Sequence, residues 1–219
     1  MKREVSVVVL LVLAWSLAVA QQPEPSRAAT GEVAPGLDAR VRQFLARTRN
    51  DWHDMNVPYE DGQVLHDLIV SKGFKRALEI GTSTGHSGVW IAWAMSRTGG
   101  RLITIEIDQR RHEIARRNFE EAGVAPYVEA RHADAHDLVK ELPGPFDFVF
   151  SDADKDWYAQ YFKDLDGKLV VGGCFTAHNV LNGFGGVEAF LGYVRARPNY
   201  QTTIDRTSHS GISISCKTG

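Results

Sequence analysis

The chain contains only two cysteines, Cys174 and Cys216, in 219 residues. Two cannot form a disulfide framework. Each lies in a segment that reads as a strand, so buried free thiols are expected; export from the cytoplasm would permit a bridge between them. An excess of positive charge is also missing. Lys and Arg number 25 against 27 Asp and Glu, which leaves nothing basic enough to bind nucleic acid. The apolar run from Val5 to Ala20 stops at 16 residues, short of the ~20 that a membrane-spanning helix needs. It follows Lys2 and Arg3 and ends in Ala18-Val19-Ala20, the charged start, apolar middle and small-residue cleavage site of a secretory signal peptide. Residues 1–20 are therefore expected to be removed on export to the periplasm or beyond, leaving no stable membrane span; uncleaved, they would anchor the chain. Their loss takes away Lys2, Arg3 and Glu4 and moves the net charge from −2 to −3.

What is present suits one globular domain, with 43% hydrophobic and 24% charged residues. Residues 21–36 hold three prolines and no apolar period, and read as a linker. From Leu37 to the end the pattern is that of a single domain, 37–219. Leu37, Val41, Phe44 and Leu45 share one helical face, and Val64, Leu65, Leu68 and Ile69 share another. Strands and helices then alternate. Arg76 to Ile80, Arg101 to Ile107, Val128 to His132, Phe146 to Ser151 and Leu169 to Thr176 read as strands; Ser87 to Met95, Arg110 to Ala122 and Trp157 to Leu165 read as helices. Tyr200 to Asp205 and Ile212 to Cys216 alternate in polarity across a short polar turn and should pair antiparallel. Such alternation implies an α/β fold, a mostly parallel sheet with helices on both faces, whose ligands bind at the carboxyl ends of the strands.

After the first strand, Gly81 and Gly85 in EIGTSTGHSG allow a tight turn close to a ligand, and Ser87 is placed to cap the next helix. Structural turns use the same pattern. The second strand ends in Glu106 about 20 residues further on, where a carboxylate can accept both ribose hydroxyls. The glycines are spaced G-x-x-x-G rather than G-x-G-x-x-G, which disfavours a nicotinamide-dependent oxidoreductase.

LEIGTSTGHS, RLITIEID, FDFVFSDADKD and MNVPYEDGQ, taken together and in this order, resemble the metal-dependent O-methyltransferases that use S-adenosylmethionine, the group containing the catechol and caffeoyl-CoA enzymes. The resemblance spans about residues 50–217 and implies a Rossmann-like, seven-stranded sheet with an antiparallel last strand. It places Met55 and Val57 against the methionine part of the cofactor, and Glu79, Gly81 and Ser87 around its amino and carboxylate groups. Glu106 would hold the ribose, and Asp134 and Ala135 would border the adenine, although a solvated loop acid is the alternative for Asp134. Asp152 matches a metal ligand bordering the cofactor. Lys155 matches the catalytic lysine that accepts a proton from a substrate hydroxyl, the alternative being a surface lysine paired with Asp154 or Asp156.

The family's remaining ligands, an Asp-Asn pair 26 and 27 residues beyond the first aspartate, fall on His178 and Asn179. An imidazole in place of a carboxylate favours Fe, Zn, Ni or Cu over Mg²⁺; a structural histidine without metal is the other reading. The glutamate with which catechol enzymes grip a substrate hydroxyl has no counterpart between Tyr200 and Gly211, where Asp205 is the nearest acid. His53 and His209 are candidates to face the substrate opening. The resemblance thus implies methyl transfer from S-adenosylmethionine to a phenolic small molecule, assisted by a divalent metal, in a chain that leaves room for a homodimer. A binding protein holding the cofactor or an aromatic ligand without turnover is the alternative, since exported protein would meet little S-adenosylmethionine.

Overall fold

The computed structural model describes residues 35–219. The expected signal segment 1–20, and the linker 21–36 apart from its last two residues, lie outside the described residues. Helices α1 (Leu37–Arg47) and α2 (Tyr59–Lys72) precede β1 (Arg76–Ile80), α3 (His86–Thr98), β2 (Arg101–Glu106), α4 (Gln109–Ala122) and β3 (Val128–His132). Then come α5 (Ala135–Glu141), β4 (Phe146–Ser151), α6 (Tyr158–Asp166), β5 (Leu169–His178), α7 (Val187–Arg195), β6 (Tyr200–Asp205) and β7 (Ile212–Lys217). The sheet has seven strands in the order β3-β2-β1-β4-β5-β7-β6. Strand β7 pairs antiparallel with both β5 and β6, whereas the pairs from β3 through to β5 are parallel.

Strand side chains alternate between the two faces, and each face has its own core. Ala77, Leu102, Phe148 and Phe150 pack with α1 to α4, around Val41, Leu65, Trp90 and Ile91. Leu78, Ile80, Ile105 and Val149 pack with α5 to α7, around Val139, Phe162, Phe175 and Phe190. Burial on both faces explains why β1 and β4 read as near-continuous apolar runs.

Apart from ends shifted by one residue, the elements differ from expectation at β5, α3, α5 and α7. Strand β5 runs two residues further, so that His178 is its last residue. Helix α3 begins at His86 with Gly85 as its cap; Ser87 lies within the first turn, buried, and caps nothing. Helices α5 and α7 were not evident in the sequence, α5 because it has only 7 residues and α7 because it follows a glycine-rich loop. The cysteines are not free thiols. Cys174 and Cys216 face each other in the β5-β7 register and are disulfide-bonded, because the antiparallel pairing brings their Cα atoms to 4.0 Å.

Candidate active site

The parallel strands β1, β2, β4 and β5 all end at one edge of the sheet, and the loops after them enclose a cavity of about 770 Å³. Chain reversal above β1 depends on Gly81, whose φ is +95° and whose absent Cβ would stand 2.9 Å from the Asp152 carbonyl oxygen. The end of β1 therefore lies directly against the end of β4. Of the expected residues, Met55, Gly81, Glu106, Asp134, Ala135, Asp152, Lys155, His178 and Asn179 line this one cavity. Val57, Glu79 and Ser87 do not. Val57 is buried and its carbonyl accepts from His86 Nδ1 at 2.9 Å.

Glu79 lies fully buried behind the cavity wall, on the α3 side of the sheet. Its Oε2 accepts from Thr104 Oγ1 at 2.5 Å, while its Oε1 has no partner among the described residues. Burial pushes its carboxyl up to about 8; bonds from Ser87 and Thr104 oppose that shift, and the nearby Asp152 and Glu106 charges add to it. Glu106 is aimed by two backbone amides, from Ser83 to Oε2 at 2.7 Å and from Asp108 to Oε1 at 2.9 Å. Asp134 caps α5 through the His136 amide at 2.9 Å and also lies beside the His136 ring at 2.9 Å.

Segment 53–57 crosses the cavity mouth, held down by side chains the sequence did not single out. Asn56 Nδ2 donates to Thr84 Oγ1 at 2.7 Å. Arg110 and Arg111 reach the Asp54 carboxylate at 2.9 and 2.7 Å, which holds that carboxyl below its usual range. Asp54 and Met55 both adopt left-handed backbone, at φ 68° and 63°, and Met55 and Phe184 are exposed side chains that line the cavity.

On the β4 and β5 side, Lys155 Nζ is 2.8 Å from Asp152 Oδ1; it pairs with this acid rather than with Asp154 or Asp156. Asp152 Oδ2 is 3.1 Å from His178 Nδ1. The other ring nitrogen, Nε2, is 2.7 Å from Oδ2 of Asp61, an acid in the first turn of α2. Asp61 is fully buried, and its Oδ2 also accepts from Ser208 Oγ at 2.7 Å. Burial opposes a charge on His178, but its bonds to Asp152 and Asp61 outweigh that and push the imidazole up to about 9, well above the ordinary ~6.5 range. Among the described residues no three His, Cys, Asp or Glu side chains gather into a metal-binding group; the third donor in the expected set is an amide, Asn179, which lines the same cavity in left-handed backbone at φ 58°. His209 also lines the cavity, His53 does not, and Asp205 caps the Thr207 amide at 2.9 Å instead of facing the opening.

Residues 34–190 match the family model described as O-methyltransferase. The chain belongs to this O-methyltransferase family. Catechol O-methyltransferase of Niastella koreensis is 43% identical over 113 residues, 50% of this chain and 51% of the relative. Caffeoyl-CoA O-methyltransferase 1 of Eucalyptus globulus is 32% identical over 146 residues, 64% of this chain and 58% of the relative. The match thus spans little more than half the length of these curated relatives. The crystal structure of the O-methyltransferase TomG from Streptomyces achromogenes, in complex with SAM, superposes with a TM-score of 0.71 at 29% identity, over 86% of this chain and 92% of that one. The seven-stranded sheet with its antiparallel β7 is the fold the chain shares with that structure.

Proposed function

We propose that the protein transfers a methyl group from S-adenosylmethionine to one of two neighbouring oxygens on a small phenolic molecule, with a divalent metal assisting. The observation that carries this reading is the convergence of Glu106, Asp152, Lys155 and His178 on one cavity at the strand ends. The residues suit the cofactor. Glu106 lines the cavity and is already oriented to accept from ribose hydroxyls. A cation would be held by Asp152 and Asn179, and by His178 only once Nδ1 gives up the proton that now bonds it to Asp152. When bound, the cofactor supplies an electrophilic methyl on sulfur and the metal a Lewis acid beside the substrate oxygens.

The chain's own part is placement. Lys155 Nζ, paired with Asp152 at 2.8 Å, stands beside the proposed metal holders, where, once it has given up its own proton, it would accept that of the attacking hydroxyl. Met55 and Phe184 offer apolar surface to a flat ring at the mouth, and segment 53–57 limits access of water to the reacting atoms. Export of the chain is part of the same proposal, supported by the signal-like residues 1–20 and by a disulfide that suits an oxidising compartment.

Isotope transfer from methyl-labelled cofactor to a panel of catechols tests the reading. Labelled product from wild type, and a loss of ~10²-fold or more in kcat for Lys155→Ala with cofactor affinity retained, are expected. Cofactor binding without product from any vicinal diol would instead favour a binding protein.

A further inference from the structure

We propose that Arg111 is a positioning residue of the cofactor site, holding segment 53–57 closed over the cavity through the Asp54 carboxylate. This rests on the S-adenosylmethionine reading above and adds a residue to it. The segment has two attachments of different kinds. At its rear, neutral groups fasten it to the start of α3. Asn56 Nδ2 donates to Thr84 Oγ1 at 2.7 Å, the His86 amide donates to Asn56 Oδ1 at 3.3 Å, and His86 Nδ1 donates to the Val57 carbonyl at 2.9 Å. Burial keeps that ring uncharged, its value pushed down to about 4. At its front, charge holds Asp54. Arg111 brings Nε to 3.1 Å and Nη2 to 2.7 Å from Oδ1, while Arg110 brings a single nitrogen to 2.9 Å from Oδ2.

The two arginines are not equivalent. The Arg110 side chain is 72% exposed and that of Arg111 24%; a single contact in water is worth little, and a two-point contact sheltered from it is worth more. Arg111 also lines the cavity, and Arg110 does not. Both ends of the Asp54-Arg111 pair lead to Glu106, the acid that would meet the ribose. The Asp54 carbonyl accepts from Ser83 Oγ, and the Ser83 amide donates to Glu106 Oε2 at 2.7 Å. The Arg111 amide donates to Asp108 Oδ1 at 2.8 Å, and the Asp108 amide donates to Glu106 Oε1 at 2.9 Å. The ion pair therefore closes a ring of bonded residues around the ribose acid, and segment and acid are set as one unit. Asp54 and Met55 stand in left-handed backbone, which residues with a Cβ keep only where their surroundings impose it. Cutting the Arg111 contact frees the front of the segment to relax away from the cavity while its rear stays fastened.

The test is the affinity and release rate of S-adenosylhomocysteine, by calorimetry and stopped-flow displacement, together with amide hydrogen exchange of the cofactor-free full chain. The proteins are wild type, Arg111→Met, Arg111→Lys, Arg110→Met, Asp54→Asn and the double variant Asp54→Asn/Arg111→Met. Arg111→Met is expected to weaken binding about 10-fold, the scale of a lost hydrogen bond between charged groups, mainly through faster release, and to raise exchange over residues 53–57 but not in β1 or β4. Arg111→Lys should recover only part, because an ammonium lacks the planar fork. Arg110→Met, with the same loss of charge, should change affinity by less than about threefold. With Asp54 already changed to Asn, Arg111→Met should also cost less than about threefold, since its partner is gone. Equal losses in both backgrounds, wild-type affinity and exchange in Arg111→Met, or a loss accompanied by faster exchange throughout β1 and β4 would each overturn the role of Arg111 alone. A wild type that binds no S-adenosylhomocysteine would overturn the cofactor reading, and this role with it.

Discussion

A buried carboxyl with one oxygen unpartnered is costly to ionise, and Glu79 is such a group. Its folded value of about 8 stands above the ordinary 4.5, so between those values the folded protein holds a proton that the unfolded chain releases. Stability of the cofactor-free protein therefore falls as pH rises through that window, by about 1.4 kcal/mol per unit from this group, and levels off above it. Glu79→Gln removes the titration. Thermal melts of both proteins from pH 5 to 8.5 should diverge, with the variant gaining relative to wild type as pH rises. Parallel melting curves would show that Glu79 is ionised throughout.

Among the elements, the antiparallel pair β5-β7 joins both functions of the fold. One end carries the disulfide between Cys174 and Cys216; the other presents His178, opposite Ile212. The bridge closes a loop with a sequence separation of 42, and removing a crosslink of this size costs about 2–4 kcal/mol. Replacing both cysteines by serine should lower the melting temperature while leaving cofactor affinity within a factor of two, since His178 lies four residues along β5 from Cys174 and is held separately by Asp61 and Asp152. A matching fall in cofactor affinity would mean that the bridge sets the geometry of the strand ends. Helix α2 contributes in a different way. Gly62 lets it lie directly on Trp90 of α3, where any Cβ would collide with the indole, and Asp61 in the same turn is thereby carried into the interior.

For the whole molecule, two cores on opposite faces of one sheet bury the structural residues and leave the strand ends to ligands. None of the described helices is long and apolar enough to cross a membrane. The proposed export predicts a mature chain starting near Gln21, and mass spectrometry of protein from the native host is the direct check. Soluble cytoplasmic protein retaining residues 1–20 would refute it.

The sequence by itself determined the α/β class and most strands and helices, because apolar periodicity is a local signal. The resemblance to the O-methyltransferases pointed to His178 and Asn179, through the place of the family's Asp-Asn pair. Tertiary structure decided which of these residues share a surface: Glu106, Asp152, Lys155 and His178 line the cavity, while Glu79, Val57 and Ser87 stand behind or outside its wall. It likewise bonded Cys174 to Cys216, which sequence could not do because pairing depends on the β5-β7 register. Asp61 was the residue least visible in advance. An acid in the first turn of a helix ordinarily serves the helix dipole at the surface, and only the close packing of α2 on α3 brings it to His178.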